Sequence, residues 1–382
     1  MPPVRYLRLT LIAALFVLAP VHAAPARIVA IADVHGAAEP LASILQRAGL
    51  IDAADQWTGG TATLVQTGDL TARGAGERAA LDRLMALELQ AAAAGGRVQI
   101  VLGNHEVMNM MGDTRDATPE ILRSFADGQS ESRRERAFDA AAKLNRGTRL
   151  DKAKWLAAHP IGFVEYRDAF KPNGQYGRWL RSKPIVAQIE GSVFMHAGVN
   201  AEFTKGPLDD INRRARRELA DWDAGVRWLE QEKLVLPFSG LMEVVEAARS
   251  ELTRFREYRR EGTLTDEHVR AAGLLTPIAG IGASSLLQAD GPLWFRGFSN
   301  WTDEEGAPLM AALLAKYRVK RFVTGHTPQA SGRIRQRFGG ALLLIDTGML
   351  GGSFYPGGRP SALEITGDAV KPIYDDATAS RR

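Results

Sequence analysis

Three short apolar segments, each followed within two residues by an acidic or amide residue, constrain the fold of this chain more than any other feature. They cover residues 27–32, 63–67 and 98–102, and helical patterns lie between them at 40–50 and 77–94. Apolar runs of this length predict buried strands, and their alternation with helices predicts a layered α/β sheet. Functional groups in such sheets collect where the strands end. The polar residues that follow the three strands are therefore the first candidates for a site.

Six short motifs contain those polar residues or similar ones later in the chain. They read Asp33-Val34-His35, Gly68-Asp69 with Arg73-Gly74, Gly103-Asn104-His105-Glu106, His196-Ala197-Gly198, Trp294-Phe295-Arg296 and Gly325-His326-Thr327. A mixture of carboxylate, imidazole and amide ligands suits manganese, iron or zinc better than calcium. Two such ions side by side can clamp a phosphate ester and activate water for its hydrolysis. The motifs therefore predict a dinuclear metal centre.

The predicted ligands can be assigned to two ions. Asp69 is the predicted bridging carboxylate, because it stands alone between two ligand-rich motifs, and Asp33 and His35 would complete the first ion with it. Three further residues would complete the second ion: Asn104, His196 and His326. An aspartate after a strand is often a helix cap, but the neighbouring His35 and Arg73 argue against that simpler role.

On these motifs the chain resembles the calcineurin-like metallophosphoesterases, in particular their phosphoprotein phosphatase branch. Residues 103–113, 291–297 and 345–349 are similar to the Shewanella-like bacterial protein phosphatases within that branch. The resemblance implies a layered β-sandwich flanked by helices, with helical insertions, and the two-ion assignment given above. It also implies that Arg73 and Arg296 hold the phosphate. Guanidinium groups suit that role independently, because each can bind two phosphate oxygens at once.

The same resemblance implies that His105 is the general acid for the leaving oxygen rather than a metal ligand. One position departs from the family pattern, which usually has an aspartate before the arginine of the second motif to orient this histidine. Here that residue is Ala72. Either another acceptor replaces it, such as Asp113 or a backbone carbonyl, or the enzyme is slower.

Three functions are compatible with such a centre. The first is a phosphatase that hydrolyses phosphate monoesters (phosphotyrosine, phosphoserine/threonine or a broader range) by in-line attack of a metal-bound hydroxide. The second is a phosphodiesterase or nucleotide pyrophosphohydrolase that uses the same two ions. The third is a metal-binding domain whose catalysis has decayed, which Ala72 would explain. We expect the first function, with phosphorylated peptides, proteins or small phosphomonoesters as substrates.

The N-terminal residues predict export. Arg5 and Arg8 precede an apolar stretch at 9–18, and Val21-His22-Ala23 resembles the A-x-A pattern of a cleavage site. This is the pattern of a signal peptide (1–23) cut after Ala23, and the stretch is short for a membrane span. The chain has no cysteine, which excludes a thiolate nucleophile and suits a disulfide-forming compartment. We therefore expect a periplasmic enzyme that is not inserted in the membrane after cleavage.

Length and charge bound the rest of the chain. Residues 24–374 are expected to form one domain with helical insertions near 110–192 and 205–285, and residues 375–382 a disordered tail. Further strands are expected at 193–196, 321–324, 341–346 and 362–365. The formal net charge is only +4, and the arginine clusters alternate with acids at helical spacing, so nucleic acid is not an expected partner.

Overall fold

A computed structural model describes residues 26–145, 147 and 149–375 of the chain. The predicted signal peptide at 1–23 and residues 376–382 of the predicted tail lie outside the described residues. In the part that is described, no helix combines the length and the apolar character needed to cross a membrane. Asp375 is buried and pairs with Arg47, so the packed chain extends to the first residue of the predicted tail.

Within the described residues, ten strands form two sheets of five. Their bounds are β1 Arg27–Ile31, β2 Thr63–Gln66, β3 Arg97–Ile100, β4 Val186–Ile189, β5 Ser192–Met195, β6 Arg321–Thr324, β7 Arg335–Arg337, β8 Leu342–Leu344, β9 Ser361–Thr366 and β10 Ala369–Tyr374. The strand order is β10-β9-β1-β2-β3 in the first sheet and β4-β5-β6-β8-β7 in the second. β1, β2 and β3 are parallel to one another, as are β5, β6 and β8.

The two sheets pack face to face around a small apolar core. Ile28 and Ala30 on one side of β1 belong to this core, together with Phe194 and Val323 of the second sheet. The other side of β1 belongs to a larger core shared with the helices. A strand buried on both faces is apolar at successive positions, which is why 28–31 is a continuous apolar run. The layered sandwich flanked by helices is thus confirmed.

Thirteen α-helices surround the sheets in the described chain. Their bounds are α1 Ala38–Arg47, α2 Glu77–Ala93, α3 Asn104–Met110, α4 Pro119–Ser124, α5 Ser130–Leu144, α6 Lys152–Ala158, α7 Phe163–Phe170, α8 Gln175–Arg181, α9 Leu208–Gln231, α10 Leu241–Glu261, α11 Asp266–Ala279, α12 Gly297–Asn300 and α13 Asp303–Tyr317. Helices α4 to α8 lie between β3 and β4, and α9 to α11 lie between β5 and β6. These two groups of helices lie within residues 110–192 and 205–285.

The parallel strands position the motifs. The first predicted metal ligand after each of β1, β2, β3, β5 and β6 lies within four residues of the end of that strand. In strand order these ligands are Asp33, Asp69, Asn104, His196 and His326. Strands that run in the same direction in two stacked sheets can deliver these side chains to one place.

Candidate metal centre

Asp69 lies at the centre of the site. Its Oδ2 atom is 3.5 Å from His35 Nε2 and 3.3 Å from His196 Nε2. Its Oδ1 atom accepts a hydrogen bond of 3.0 Å from the backbone N–H of His105. One oxygen is therefore fixed by the main chain while the other points between two imidazoles, which is the geometry that a bridging ligand needs.

Three histidines each bind a backbone carbonyl through one ring nitrogen. The pairs are His35 Nδ1 with Thr71 O at 3.0 Å, His196 Nδ1 with Thr67 O at 3.0 Å and His326 Nε2 with Trp294 O at 3.2 Å. Because a carbonyl only accepts, we assign a proton to each of these nitrogens. The second nitrogen of each ring faces the centre of the site, as in metal-ligating histidines.

Electrostatics favour positive charge between these groups. Burial lowers the pKa of His35 to about 3 and that of His326 to about 2, so both rings are neutral and able to ligate at pH 7. Burial acts in the same direction on His196, but the carboxylates of Asp69 and Asp33 overcome it and raise its pKa to about 9. The site therefore attracts a cation at His196, whether a proton or a metal ion.

Acceptor atoms converge on the same point. His196 Nε2 is 2.9 Å from Asn104 Oδ1 and 3.0 Å from His326 Nδ1. A metal ion among these three atoms could bind all of them, whereas one proton cannot be shared by all three. The donor set therefore fits the ion that the sequence assigns to these residues.

Asp33 joins the two sheets at the site. Its Oδ1 accepts a 2.9 Å hydrogen bond from the backbone N–H of His326, and its Oδ2 is 3.8 Å from His35 Nε2. Gly325 permits this approach, because a Cβ atom there would lie 2.3 Å from Asp33 Oδ1. Burial, reinforced by the nearby Asp346, raises the pKa of Asp33. A bound cation would offset that cost and keep the carboxylate ionised.

Four of the six predicted ligands fall into two overlapping buried groups that share Asp69. The other two, Asp33 and Asn104, lie beside His35 and His196 of these groups. One group contains His35 with Asp69 and His105, and the other contains His196 and His326 with Asp69. The chemistry of both groups fits transition-metal ions. Because His105 belongs to the first group, its other contacts have to decide whether it acts as a ligand or as an acid.

Those contacts set His105 apart from the three histidines that are predicted to be ligands. Its Nε2 is 3.1 Å from Arg73 Nη2 and 3.9 Å from Asp69 Oδ2, while its Nδ1 faces the carboxylate of Asp116 at 3.6 Å. Asp113, which the sequence offered as a partner, instead accepts a 2.9 Å hydrogen bond from Arg115 Nε. In the structure the carboxylate of Asp113 therefore pairs with Arg115, and the carboxylate that pairs with His105 is that of Asp116.

The main chain at the site is held in left-handed conformations. His35, Asp69 and His326 have φ angles of 46°, 58° and 67°, and Ala72 and Arg73 have 72° and 71°. Such angles in non-glycine residues cost on the order of 1–3 kcal/mol each and persist where the surroundings fix them. This backbone strain is typical of a functional site.

Glu106 fixes the loop that contains Asp69. Its buried carboxylate accepts hydrogen bonds from the backbone N–H groups of Asp69, Leu70 and Thr71 at 2.8, 2.7 and 3.0 Å. It also accepts from the Thr71 hydroxyl and from the Gly103 N–H. The sequence places Glu106 in a motif but gives it no role, because only the fold shows that the two loops meet.

Two arginines and an aromatic rim surround the mouth of the site, a cavity of about 450 Å³. Arg73 donates to the Tyr355 hydroxyl, and Arg296 Nη1 donates to His326 O at 3.2 Å and to Thr327 Oγ1 at 3.0 Å. The aromatic residues that line the cavity are Trp294, Phe354 and Tyr355. No residue pattern singles out Tyr355, although the glycines around it predict a loop near the site. The cavity can accept an anion with an apolar substituent.

Comparison with known proteins agrees with this chemistry. A family model described as calcineurin-like phosphoesterase matches residues 26–330. Shewanella-like protein phosphatase 2 of Arabidopsis thaliana is 35% identical over 208 residues, which are 50% of this chain and 51% of that protein. This match therefore spans about half the length of the Arabidopsis relative. Shewanella-like protein phosphatase 1 of Plasmodium berghei is 23% identical over 91% of this chain and 74% of its own length.

The architecture is similar to that of a solved enzyme. The crystal structure of a cold-active protein-tyrosine phosphatase of a psychrophilic Shewanella species superposes with a TM-score of 0.56. The two sequences are 22% identical, and the superposition covers 92% of this chain and 80% of that one. This likeness supports the fold.

Proposed function

The chain belongs to the calcineurin-like phosphoesterase family, and from that premise we propose that it is a dinuclear-metal phosphatase that hydrolyses phosphate monoesters. The observation that carries the proposal is the convergence of ligands from both sheets on Asp69, beside two arginines at one cavity. The similarity to proteins named Shewanella-like protein phosphatases supports the same choice. Phosphorylated side chains of peptides or proteins are then the expected substrates.

The metal ions would be manganese, iron or zinc, held by the six ligands described above. When bound, they supply Lewis acidity, which polarises the phosphoryl group and lets water react at neutral pH. Asp33 and His35 would hold one ion, Asn104, His196 and His326 the other, and Asp69 both. The hydrogen bonds to the carbonyls of Thr67, Thr71 and Trp294 orient the three imidazoles for this role.

The remaining residues act on the substrate. Arg73 and Arg296 bind and orient the phosphoryl oxygens with their guanidinium groups. As water attacks phosphorus, the bond to the leaving oxygen breaks and its electron pair stays on that oxygen, which takes a proton from His105 Nε2. The attacking water loses one proton to solvent, and His105 regains a proton from solvent, so the products are hydrogen phosphate and an alcohol or phenol.

Charge and shape at the mouth favour a monoester over the alternative phosphodiester or nucleotide pyrophosphate. A phosphate monoester is a dianion, and two guanidinium groups match its charge better than that of a singly charged diester. Trp294, Phe354 and Tyr355 offer aromatic surface beside the phosphate position. An aryl phosphate such as phosphotyrosine can pack its ring there.

Hydrolysis of p-nitrophenyl phosphate by the metal-stripped chain, titrated with Mn²⁺, Fe²⁺ or Zn²⁺, tests the proposal. We expect no turnover without metal, and restored turnover with kcat/KM at least about tenfold above that for bis-p-nitrophenyl phosphate. A preference for the diester would support the phosphodiesterase. Uptake of two ions without hydrolysis of either ester would support the decayed enzyme.

We further propose that the protein is exported to the periplasm. The support is the charged, apolar and small-residue pattern of residues 1–23 together with the absence of cysteine from the sequence. N-terminal sequencing of protein recovered from a periplasmic fraction should begin at Ala24. Recovery from the cytoplasm with Met1 or Pro2 at the N-terminus would contradict export.

A further inference from the structure

We propose that Asp116 is the positioning residue for His105: its carboxylate holds the imidazole so that Nε2 can protonate the leaving oxygen. The inference rests on the proposed function, because it concerns the acid in that reaction. Asp116 lies outside all six motifs, in the loop that follows α3. It would supply the support that Ala72 cannot give.

The geometry at His105 carries the proposal. Among the described residues, two carboxylates lie close to this ring, Asp69 at 3.9 Å from Nε2 and Asp116 at 3.6 Å from Nδ1. Asp69 is a predicted metal ligand and lies near Nε2, whereas the carboxylate of Asp116 lies beside the opposite ring nitrogen, Nδ1. In His35, His196 and His326 the ring nitrogen that faces away from the centre of the site binds a neutral carbonyl. A carboxylate on Nδ1 orients an imidazole ring more strongly than a neutral carbonyl does.

The loop places Asp116 firmly at this point. Its backbone carbonyl accepts a 2.9 Å hydrogen bond from the N–H of Arg73, so one residue contacts both the phosphate-binding arginine and the acid. The Asp116 side chain is 38% exposed, which gives it room to move from the ion-pair distance to a hydrogen bond. Distances of this kind are often long in enzymes without substrate and shorten when it binds.

The expected effect depends on the leaving group. A p-nitrophenolate ion leaves readily without a proton, whereas phenolate and alkoxide ions need one as the bond to phosphorus breaks. Loss of support for His105 should therefore slow phenyl phosphate much more than p-nitrophenyl phosphate. A merely structural role for Asp116 would slow both substrates alike.

Asp116→Asn is the test, with both substrates assayed on the metal-loaded full chain. We expect kcat for phenyl phosphate to fall about 10–100-fold, kcat for p-nitrophenyl phosphate to fall less than about threefold, and metal content to be unchanged. Asp116→Glu, which keeps the carboxylate, should recover most of the phenyl phosphate rate. Asp113→Asn is the matched control, because Asp113 lies in the same loop but pairs with Arg115, and it should change neither rate.

Two results would overturn the proposal. One is an equal loss, or no loss, for both substrates in Asp116→Asn; the other is an Asp116→Glu variant as slow as the asparagine variant. Either leaves the proposed function standing, provided that the wild-type chain hydrolyses p-nitrophenyl phosphate with metal. Absence of turnover in the wild-type chain would instead count against the proposed function itself.

Discussion

Replacing Asp69 with asparagine should remove bound metal and lower kcat by more than about 10³-fold, since a lost ligand affects both ions and the site's charge. Asp69 Oδ2 lies between His35 Nε2 and His196 Nε2, so the substitution takes a negative charge from the centre of the site. Asparagine tolerates the same left-handed backbone as aspartate. Its amide oxygen can still accept from the backbone N–H of His105. The expected loss of metal and of activity would therefore come from the lost ligand and charge rather than from misfolding.

Metal content by mass spectrometry and p-nitrophenyl phosphate turnover, measured on the same preparation, give the readout. Asp55→Asn is the matched control, because Asp55 has a φ angle of 57° against 58° at Asp69 but lies outside the site and pairs with Arg83. The control should keep its metal and its rate. If Asp69→Asn retained two ions per chain, Asp69 would not be the bridging ligand.

Replacing His105 with glutamine should lower kcat for phenyl phosphate by about 10²–10⁴-fold while leaving metal content intact, because glutamine cannot donate a proton to the leaving oxygen. His105 is buried beside both Arg73 and Asp69, so the experiment has to distinguish a loss of acid catalysis from a loss of metal binding. The decisive comparison is the number of ions bound by the variant and by the wild-type chain.

His159→Gln provides the corresponding control, since His159 stacks on Trp155 within the helical region between β3 and β4. It should bind metal and turn over substrate like the wild-type chain. Should His105→Gln lose one ion, His105 would be a ligand, in agreement with its place in the first ligand group. Asp116 would then orient a metal ligand instead of an acid.

The central strands were predictable from the sequence, and three of the edge strands were not. β1, β2, β3, β5, β6, β8 and β9 were expected within a few residues of their observed bounds, because both faces or one face of each is buried and the residues are apolar. β4, β7 and β10 lie at the edges of their sheets. β7 reads Arg335-Gln336-Arg337 and β10 contains Pro372, so neither has the apolar pattern of a buried strand.

The part of the site that lies within the six motifs could be predicted from the sequence. The positions of ligands that closely follow buried strands can be predicted without knowing how the loops fold. The structure brings all six ligands together. Asp116 could not be found in this way, because its position depends on how the chain leaves α3. Gly112, with a φ angle of 86°, turns the chain there, so that Asp113 meets Arg115 and Asp116 meets His105. Spacing along the sequence does not reveal such a turn.

The contact between Asp33 and His326 has a consequence for how the protein would acquire its metal. The two residues are 293 positions apart and follow strands of different sheets, so the six ligands meet only after both sheets have formed. A partly folded chain would hold too few ligands to bind tightly, which makes metal capture a late event in folding. If the chain is exported unfolded, the compartment in which folding ends, rather than the one in which synthesis takes place, would decide which metal it carries.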